Sequence, residues 1–261
     1  MNTPDERFYC ARITKRVDFA PELWMIRVNP GGEFRFQPGQ YATLGLTVNG
    51  SDRRLERPYS IASSPYDEEV EFFLELVPHG VLTPQLHELG VGDEMLMRKA
   101  AKGRFVLDTN GPRTNHLLVS TVTGLAPFMS YLRTFSKDHK EGKVPAGHKL
   151  YLLNGASRSW EFGYHQEVQK IAEESPWLSY VPTVSRPWED DKWNGEVGRV
   201  DDLLRKYADQ WGLTGENCIG YLCGHPEMIE RGKGILKRRG FPKEALREEV
   251  YWAPARGAAA Q

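Results

Sequence analysis

The chain has 261 residues, 40% apolar and 26% charged, the texture of a globular protein and enough length for two cores of about a hundred residues each. Its 34 lysines and arginines are matched by 35 aspartates and glutamates, which speaks against the broad basic field of a nucleic-acid binder. No apolar run reaches the roughly 18 residues of a membrane span and residues 1–8 lack a signal pattern, so a cytoplasmic location is expected, while the three cysteines (Cys10, Cys218, Cys223) are too few for an iron–sulfur cluster and match no zinc spacing, so no metal is expected and any redox cofactor is organic.

From residue 8 to about 108 the chain reads as short strands, at 23–28, 40–47, 71–77 and 94–97, separated by Gly, Pro, Asn and Asp. Apolar and polar residues alternate across 70–76. Such spacing predicts a small antiparallel β-barrel. Inside it, Arg57-Pro58-Tyr59-Ser60 places a guanidinium fork, a flat ring and a hydroxyl on one strand, a set able to hold a phosphorylated aromatic cofactor. The same four residues are equally an ordinary strand with a surface Arg and a half-buried Tyr. Next, Thr83 stands at an expected helix cap with Pro84 at the first helical position, so free backbone N–H groups there can receive a pyrophosphate.

A polar, turn-rich link at 108–113 marks the expected boundary: a barrel domain over 1–110, a second domain over 111–252 and a tail over 253–261. The second half alternates strands (116–121, 149–154, 178–184, 219–223) with helices (126–136, 164–174, 200–211, 227–239), the pattern of an α/β domain with a parallel sheet that binds ligands at the carboxyl ends of its strands. Thr123-Gly124-Leu125 joins the first of these strands to its helix, where a nucleotide loop belongs. Arg158, Arg186 and Arg199 each end a strand or begin a helix, and several guanidinium forks converging on one site favour the 2′-phosphate of NADP over the bare ribose of NAD. Cys223 closes the strand 219–223; a buried thiol there is more often packing than chemistry. Residues 248–252 form an acidic strand tip ending in Tyr251 and Trp252.

Taken in order, Arg57-Pro58-Tyr59-Ser60, Gly80-Val81-Leu82-Thr83, Val91-Gly92-Asp93-Glu94, Thr123-Gly124-Leu125-Ala126-Pro127-Phe128, Cys223-Gly224-His225-Pro226-Glu227-Met228 and the terminal Tyr251-Trp252 resemble the ferredoxin–NADP reductase family over about residues 8–252. The resemblance implies FAD and NADP(H) as cofactors. Arg57 would then contact the flavin phosphates, Tyr59 would stack on the isoalloxazine and Ser60 would hydrogen-bond near N5. Pro58 and Phe73 join the implied flavin site, and Val81, Leu82 and Thr83 the pyrophosphate site. Thr123 and Gly124 would approach the nicotinamide nucleotide, although Val122 replaces the leading glycine of the family loop. Arg158, Ser185, Arg186 and Arg199 would frame the 2′-phosphate, and Tyr164 the adenine. Cys223 would orient nicotinamide C4 without a covalent role, Glu249 would tune polarity or proton supply, Tyr251 would cover the flavin and Trp252 lie near the adenine. The implied activity is hydride transfer between NADPH and FAD, with one-electron exchange to ferredoxin or flavodoxin. A basic face of Arg53, Arg54, Arg98, Lys99, Lys102 and Arg104 is the candidate dock for such an acidic partner. Two alternatives stay open: the reductase component of an oxygenase system, and a non-catalytic flavin-binding interaction subunit.

Overall fold

The computed structural model describes residues 6–47 and 54–251, and these divide into two compact units. The first comprises Met1–Leu107 with Ala126–Lys143, the second Asp108–Leu125 with Val144–Gln261.

In the first unit, β1 (Phe8–Ala20), β2 (Leu23–Asn29), β3 (Tyr41–Thr47), β4 (Arg54–Ser60), β5 (Val70–Glu75) and β6 (Glu94–Arg98) form one antiparallel sheet in the order β4-β3-β6-β1-β2-β5. A bridge between Ile61 and Phe72 joins its two ends, closing the expected barrel. Alternation selects what faces inward: Trp24, Ile26 and Val28 from β2, Phe72 and Leu74 from β5, Met95 and Met97 from β6 share one core with Ala11, Ile13 and Leu44. Pro58 has no N–H to give a second neighbour, and β4 is ladder-paired only with β3, where Pro58 lies opposite Thr43. The short helix α1 (Thr83–His87) lies between β5 and β6.

Helix α2 (Ala126–Lys140) groups with this barrel, held by polar contacts rather than by sequence proximity. Ser130 Oγ donates to Ser63 O at 2.6 Å, and the Ser64 and Thr134 hydroxyls lie 2.9 Å apart. Glu71 is fully buried, 0% exposed. Its carboxylate is clamped by Arg27 Nε and Arg133 NH1, each at 2.7 Å, and Arg133 also reaches Ala62 O at 2.9 Å. A carboxylate taken out of water in this way is tolerable only with both guanidiniums in place.

The second unit is a parallel sheet in the order β10-β9-β8-β7-β11-β12, built from β7 (Asn115–Thr121), β8 (Lys149–Ala156), β9 (Leu178–Val184), β10 (Glu196–Val197), β11 (Cys218–Gly224) and β12 (Leu246–Val250). Strand β11, paired to β7 on one side and β12 on the other, is buried at every residue, as a parallel strand covered on both sides should be. Helices α3 (His165–Glu174), α4 (Val200–Gln210) and α5 (Pro226–Arg238) alternate with the strands. Leu204 of α4 with Met228, Ile229 and Leu236 of α5 meet Leu117, Val119, Leu153 and Leu222 in a single core. At the amino-terminal ends of β7 and β8, His116 and His148 stack, with Nε2 of His116 2.9 Å from Nδ1 of His148. Burial, with repulsion from His148, pushes His116 down to about 3, against a weaker opposite pull from Asp108. Among the described residues no helix is long and apolar enough to cross a membrane.

Candidate functional site

Chemistry-bearing residues of the second unit gather at the carboxyl ends of β7, β11 and β12, the edge where an open parallel sheet takes its ligands. β7 runs out at Thr121 into a tight turn over Val122–Leu125. β11 ends at Cys223-Gly224. The two ends touch backbone to backbone: a Cβ at Gly124 would lie 2.3 Å from Cys223 O and 2.8 Å from Gly224 Cα. Gly224 has φ +127, and a Cβ there would stand 2.3 Å from Thr121 Oγ1, the oxygen that accepts the His225 N–H at 2.9 Å. Glycine is therefore required on both sides of this junction. Val122, standing where the family loop has glycine, takes φ +44 and is the one described non-glycine residue with positive φ, a costly conformation for a β-branched side chain.

β12 completes this edge. Glu249 is in register with Cys223, and the Tyr251 N–H donates to Gly224 O at 3.2 Å. The Cys223 thiol is pushed well above its ordinary range by burial first and the Glu249 carboxylate second, with a hydrogen bond from Tyr251 opposing. It is thus a neutral thiol, a small packing and positioning group rather than a nucleophile. The structure brings together Thr123, Gly124, Cys223, Glu249 and Tyr251; Trp252 and the tail 253–261 lie outside the described residues.

The arginines lie further along the same edge. Arg158 follows β8, and Arg186 follows β9; the Arg186 N–H donates to Ser157 O at 3.0 Å, tying the two loops together. Ser185 N–H and Oγ both point to Ala156 O, at 3.0 and 3.4 Å. Arg199 precedes α4 and is shared between Asp201 at 3.4 Å and Glu227 at 3.5 Å. Tyr164, the residue before α3, is only 5% exposed, whereas two aromatics that the sequence did not single out stand in solvent beside the arginines: Trp160, 48% exposed, and Trp188, 76% exposed. Arg158 lies 5.8 Å from the Trp160 ring. An exposed indole next to a guanidinium is the signal that local sequence could have offered, since Trp160 and Trp188 each sit two residues beyond an arginine.

In the first unit, β4 presents Arg57 and Pro58 to solvent, while Tyr59 is half-buried against the barrel core and Ser60 is buried. Arg57 NH1 donates to Glu56 O at 2.7 Å. Burial pushes the Tyr59 hydroxyl up, with the Arg57 charge pulling the other way. Phe73 is buried edge-on to Phe19, ring centres 5.6 Å apart. Thr83 differs from its expected role as helix cap: the N-cap is Leu82, Thr83 is the first helical residue, and its hydroxyl closes the preceding loop by accepting from Val77 N–H at 3.1 Å and donating to Val77 O at 3.3 Å. Val81 is exposed and Leu82 buried. Of the basic set, Arg98 is paired to Glu56 at 2.6 Å, Arg54 lies over the Phe8 ring, Lys99, Lys102 and Arg104 are exposed, and Arg53 lies outside the described residues.

A barrel followed by a parallel-sheet unit with a glycine junction and an arginine-lined edge defines a two-unit oxidoreductase of the nicotinamide-nucleotide class. Residues 118–233 match the family model described as the oxidoreductase NAD-binding domain. The chain is 34% identical over 245 residues to a ferredoxin–NADP reductase of Pseudomonas aeruginosa, covering 85% of this chain and 89% of that protein. It is 27% identical to a xylene/toluene monooxygenase electron transfer component of Pseudomonas putida, over 93% of this chain and 65% of that protein. In fold it matches a ferredoxin NADP+ reductase from Neisseria gonorrhoeae, solved with bound FAD and NADP, with a TM-score of 0.81 at 22% identity, over 94% and 99% of the two chains. The chain belongs to the ferredoxin–NADP reductase family.

Proposed function

We propose that the protein is a cytoplasmic FAD-dependent ferredoxin/flavodoxin–NADP reductase, with residues 1–110 as its flavin domain, against which α2 packs, and the remainder of 111–252 as its NADP domain. The observation that carries this reading is the convergence of the Gly124 backbone, the neutral Cys223 thiol and Tyr251 on one sheet edge. The residues fit the two cofactors: the exposed Arg57 fork and the Tyr59 ring suit a phosphorylated flavin, and the Gly124–Cys223 junction lies at the carboxyl edge where an open parallel sheet takes a nucleotide. Bound FAD supplies the redox chemistry, accepting hydride from NADPH and releasing electrons singly to a carrier.

The residues then orient and insulate. Arg57 and the backbone of Val81, Leu82 and Thr83 hold the flavin phosphates; Tyr59, Pro58 and Phe73 give its ring an apolar bed; Ser60 offers a hydroxyl to N5. Thr123 and Gly124 seat the nicotinamide end, and Cys223, kept protonated, packs against it and sets its angle. Glu249 places a carboxylate one strand away from the thiol, where it would tune the polarity of the site or supply a proton. Tyr251 is the candidate shield of the flavin ring. Arg158, Ser185, Arg186 and Arg199 receive the 2′-phosphate, with Trp188 as an additional exposed platform for the adenine. Lys99, Lys102 and Arg104 contribute to a dock for an acidic carrier, so carrier reduction weakens with rising ionic strength.

Anaerobic titration of the purified protein with NADPH and NADH, followed by ferredoxin or flavodoxin, tests this reading. The expected result is a yellow protein bleached by NADPH and re-oxidised by the carrier. A colourless protein, or a flavin that NADPH leaves oxidised, refutes it. A second reading, the reductase component of an oxygenase, is favoured by the likeness to the xylene/toluene monooxygenase component along 93% of the chain; re-oxidation by an oxygenase partner but not by ferredoxin or flavodoxin selects it.

A further inference from the structure

The guanidinium of Arg158 is already engaged. Its Nε lies 2.6 Å from Glu189 Oε2, its NH2 contacts the same oxygen, and its NH1 lies 2.9 Å from Glu161 Oε1. Arg186 NH1 stands 3.6 Å from the other Glu189 oxygen. Two guanidiniums and two carboxylates leave this cluster with no net charge, so three arginines in the sequence do not amount to an open cationic cup.

The two glutamates do different work. Glu161 Oε2 accepts the backbone N–H groups of Ser157 at 2.8 Å and Arg158 at 3.4 Å, which builds the turn after β8. Glu189 is instead held through side chains, those of Arg158 and Arg186. Its backbone is fixed: the Glu189 N–H donates to Arg186 O at 3.0 Å, and the neighbouring Asp190 carboxylate, largely buried, accepts the Ser159 N–H at 2.8 Å, locking the 187–190 turn to the 158–161 turn. The Glu189 side chain is therefore aimed at Arg158 from a rigid base, yet it is 34% exposed and has room to swing outward.

A phosphate carries close to two negative charges, and entering the Arg158 fork it must either displace this carboxylate or lie against it. A ribose 2′-hydroxyl meets no such repulsion, and can donate to the carboxylate as ribose hydroxyls do to acidic residues in other dinucleotide sites. We propose that Glu189 is a specificity-determining residue, an internal competitor for Arg158 that lowers affinity for 2′-phosphorylated nicotinamide nucleotides while sparing the unphosphorylated ones. The inference rests on assigning this cluster to the adenosine end of the nucleotide. Specificity here is a difference between two affinities, and a repulsive group tunes it as effectively as an attractive one.

The test is calorimetric titration of the purified holoprotein with 2′,5′-ADP and with 5′-ADP, for the parent and for Glu189→Gln, which keeps the side-chain size and removes the charge. The expected result is about ten-fold tighter 2′,5′-ADP binding in the variant with 5′-ADP unchanged or weaker, and a matching rise in the NADPH-to-NADH ratio of kcat/KM. An unmoved ratio of the two affinities, or a shift toward 5′-ADP, overturns the inference while leaving the nucleotide site intact. If the parent protein binds neither nucleotide, the site assignment itself falls and the inference with it. Glu161→Gln is the contrasting variant: it loosens the turn, and weakens both ligands together.

Discussion

Gly124→Ala probes the junction on which the candidate site is built. The added methyl would stand 2.3 Å from Cys223 O, 2.6 Å from Cys223 C and 2.8 Å from Gly224 Cα. All three are backbone atoms of β11, so none can rotate away, and the turn must retreat by about 1 Å to reach ordinary contact. Overpacking of this kind costs about 1–3 kcal/mol, which lowers Tm by about 3 °C for each kcal/mol in a unit of this size. The same retreat carries Thr123 off the sheet edge, and a displacement of about 1 Å at a positioning group costs on the order of 100-fold in the transfer step. Thermal unfolding gives the first quantity. Anaerobic stopped-flow reduction of the flavin by NADPH gives the second, with the rate at saturating nucleotide separating misplacement from lost affinity. A variant with Tm within about 1 °C of the parent and a reduction rate within about two-fold would refute the reasoning, because the close approach would then carry neither energy nor geometry.

The neighbouring Val122→Gly should act in the opposite sense: relief of φ +44 outweighs the added chain entropy and raises stability by about 0.5–1 kcal/mol in urea unfolding, and a destabilised variant contradicts the strain. Acidification should destabilise the second unit through His116, whose folded value of about 3 lies below its ordinary 6.5. Its contribution is complete above pH 6.5 and declines as pH falls toward 3, by about 2 kcal/mol at pH 5. Urea unfolding of His116→Gln at pH 7 and pH 5 checks this: the variant should lose correspondingly less than the parent between the two, and an equal loss places the acid sensitivity elsewhere. Glu71→Gln leaves Arg27 and Arg133 facing a neutral amide inside the barrel and should cost about 3 kcal/mol or more; a change within about 0.5 kcal/mol in denaturant unfolding would mean the clamp contributes nothing net.

The parallel sheet was legible because its strands are short, nearly unbroken apolar runs followed by amphipathic helices: 178–184 coincides with β9, and the other three strands differ by one or two residues at their ends. β1 escaped notice for a physical reason. It is 13 residues long, its exposed positions include Arg12, Thr14 and Lys15, and irregularities between Ile13 and Lys15 and between Asp18 and Ala20 break its two-residue period. At the sheet edge, glycine and cysteine positions could be read from local motifs because backbone approach has a local signature. The charge state of the arginine cluster could not. Glu189 lies 31 residues from Arg158, and nothing in its own surroundings announces that it fills that fork. Likewise the Thr83 hydroxyl is spent on Val77 six residues earlier, a competition that capping rules leave out of account.

The clamp on Glu71 also bears on how the molecule can be taken apart. The chain passes between its two units three times, at residues 107–108, 125–126 and 143–144, so a single cut yields no self-sufficient half. A fragment ending at residue 107 would omit α2, strip Glu71 of Arg133 and leave the Ser64 hydroxyl without Thr134. Autonomous expression of the flavin-side unit therefore calls for α2 to be grafted back through a designed linker, or for the helix to be supplied as a separate peptide.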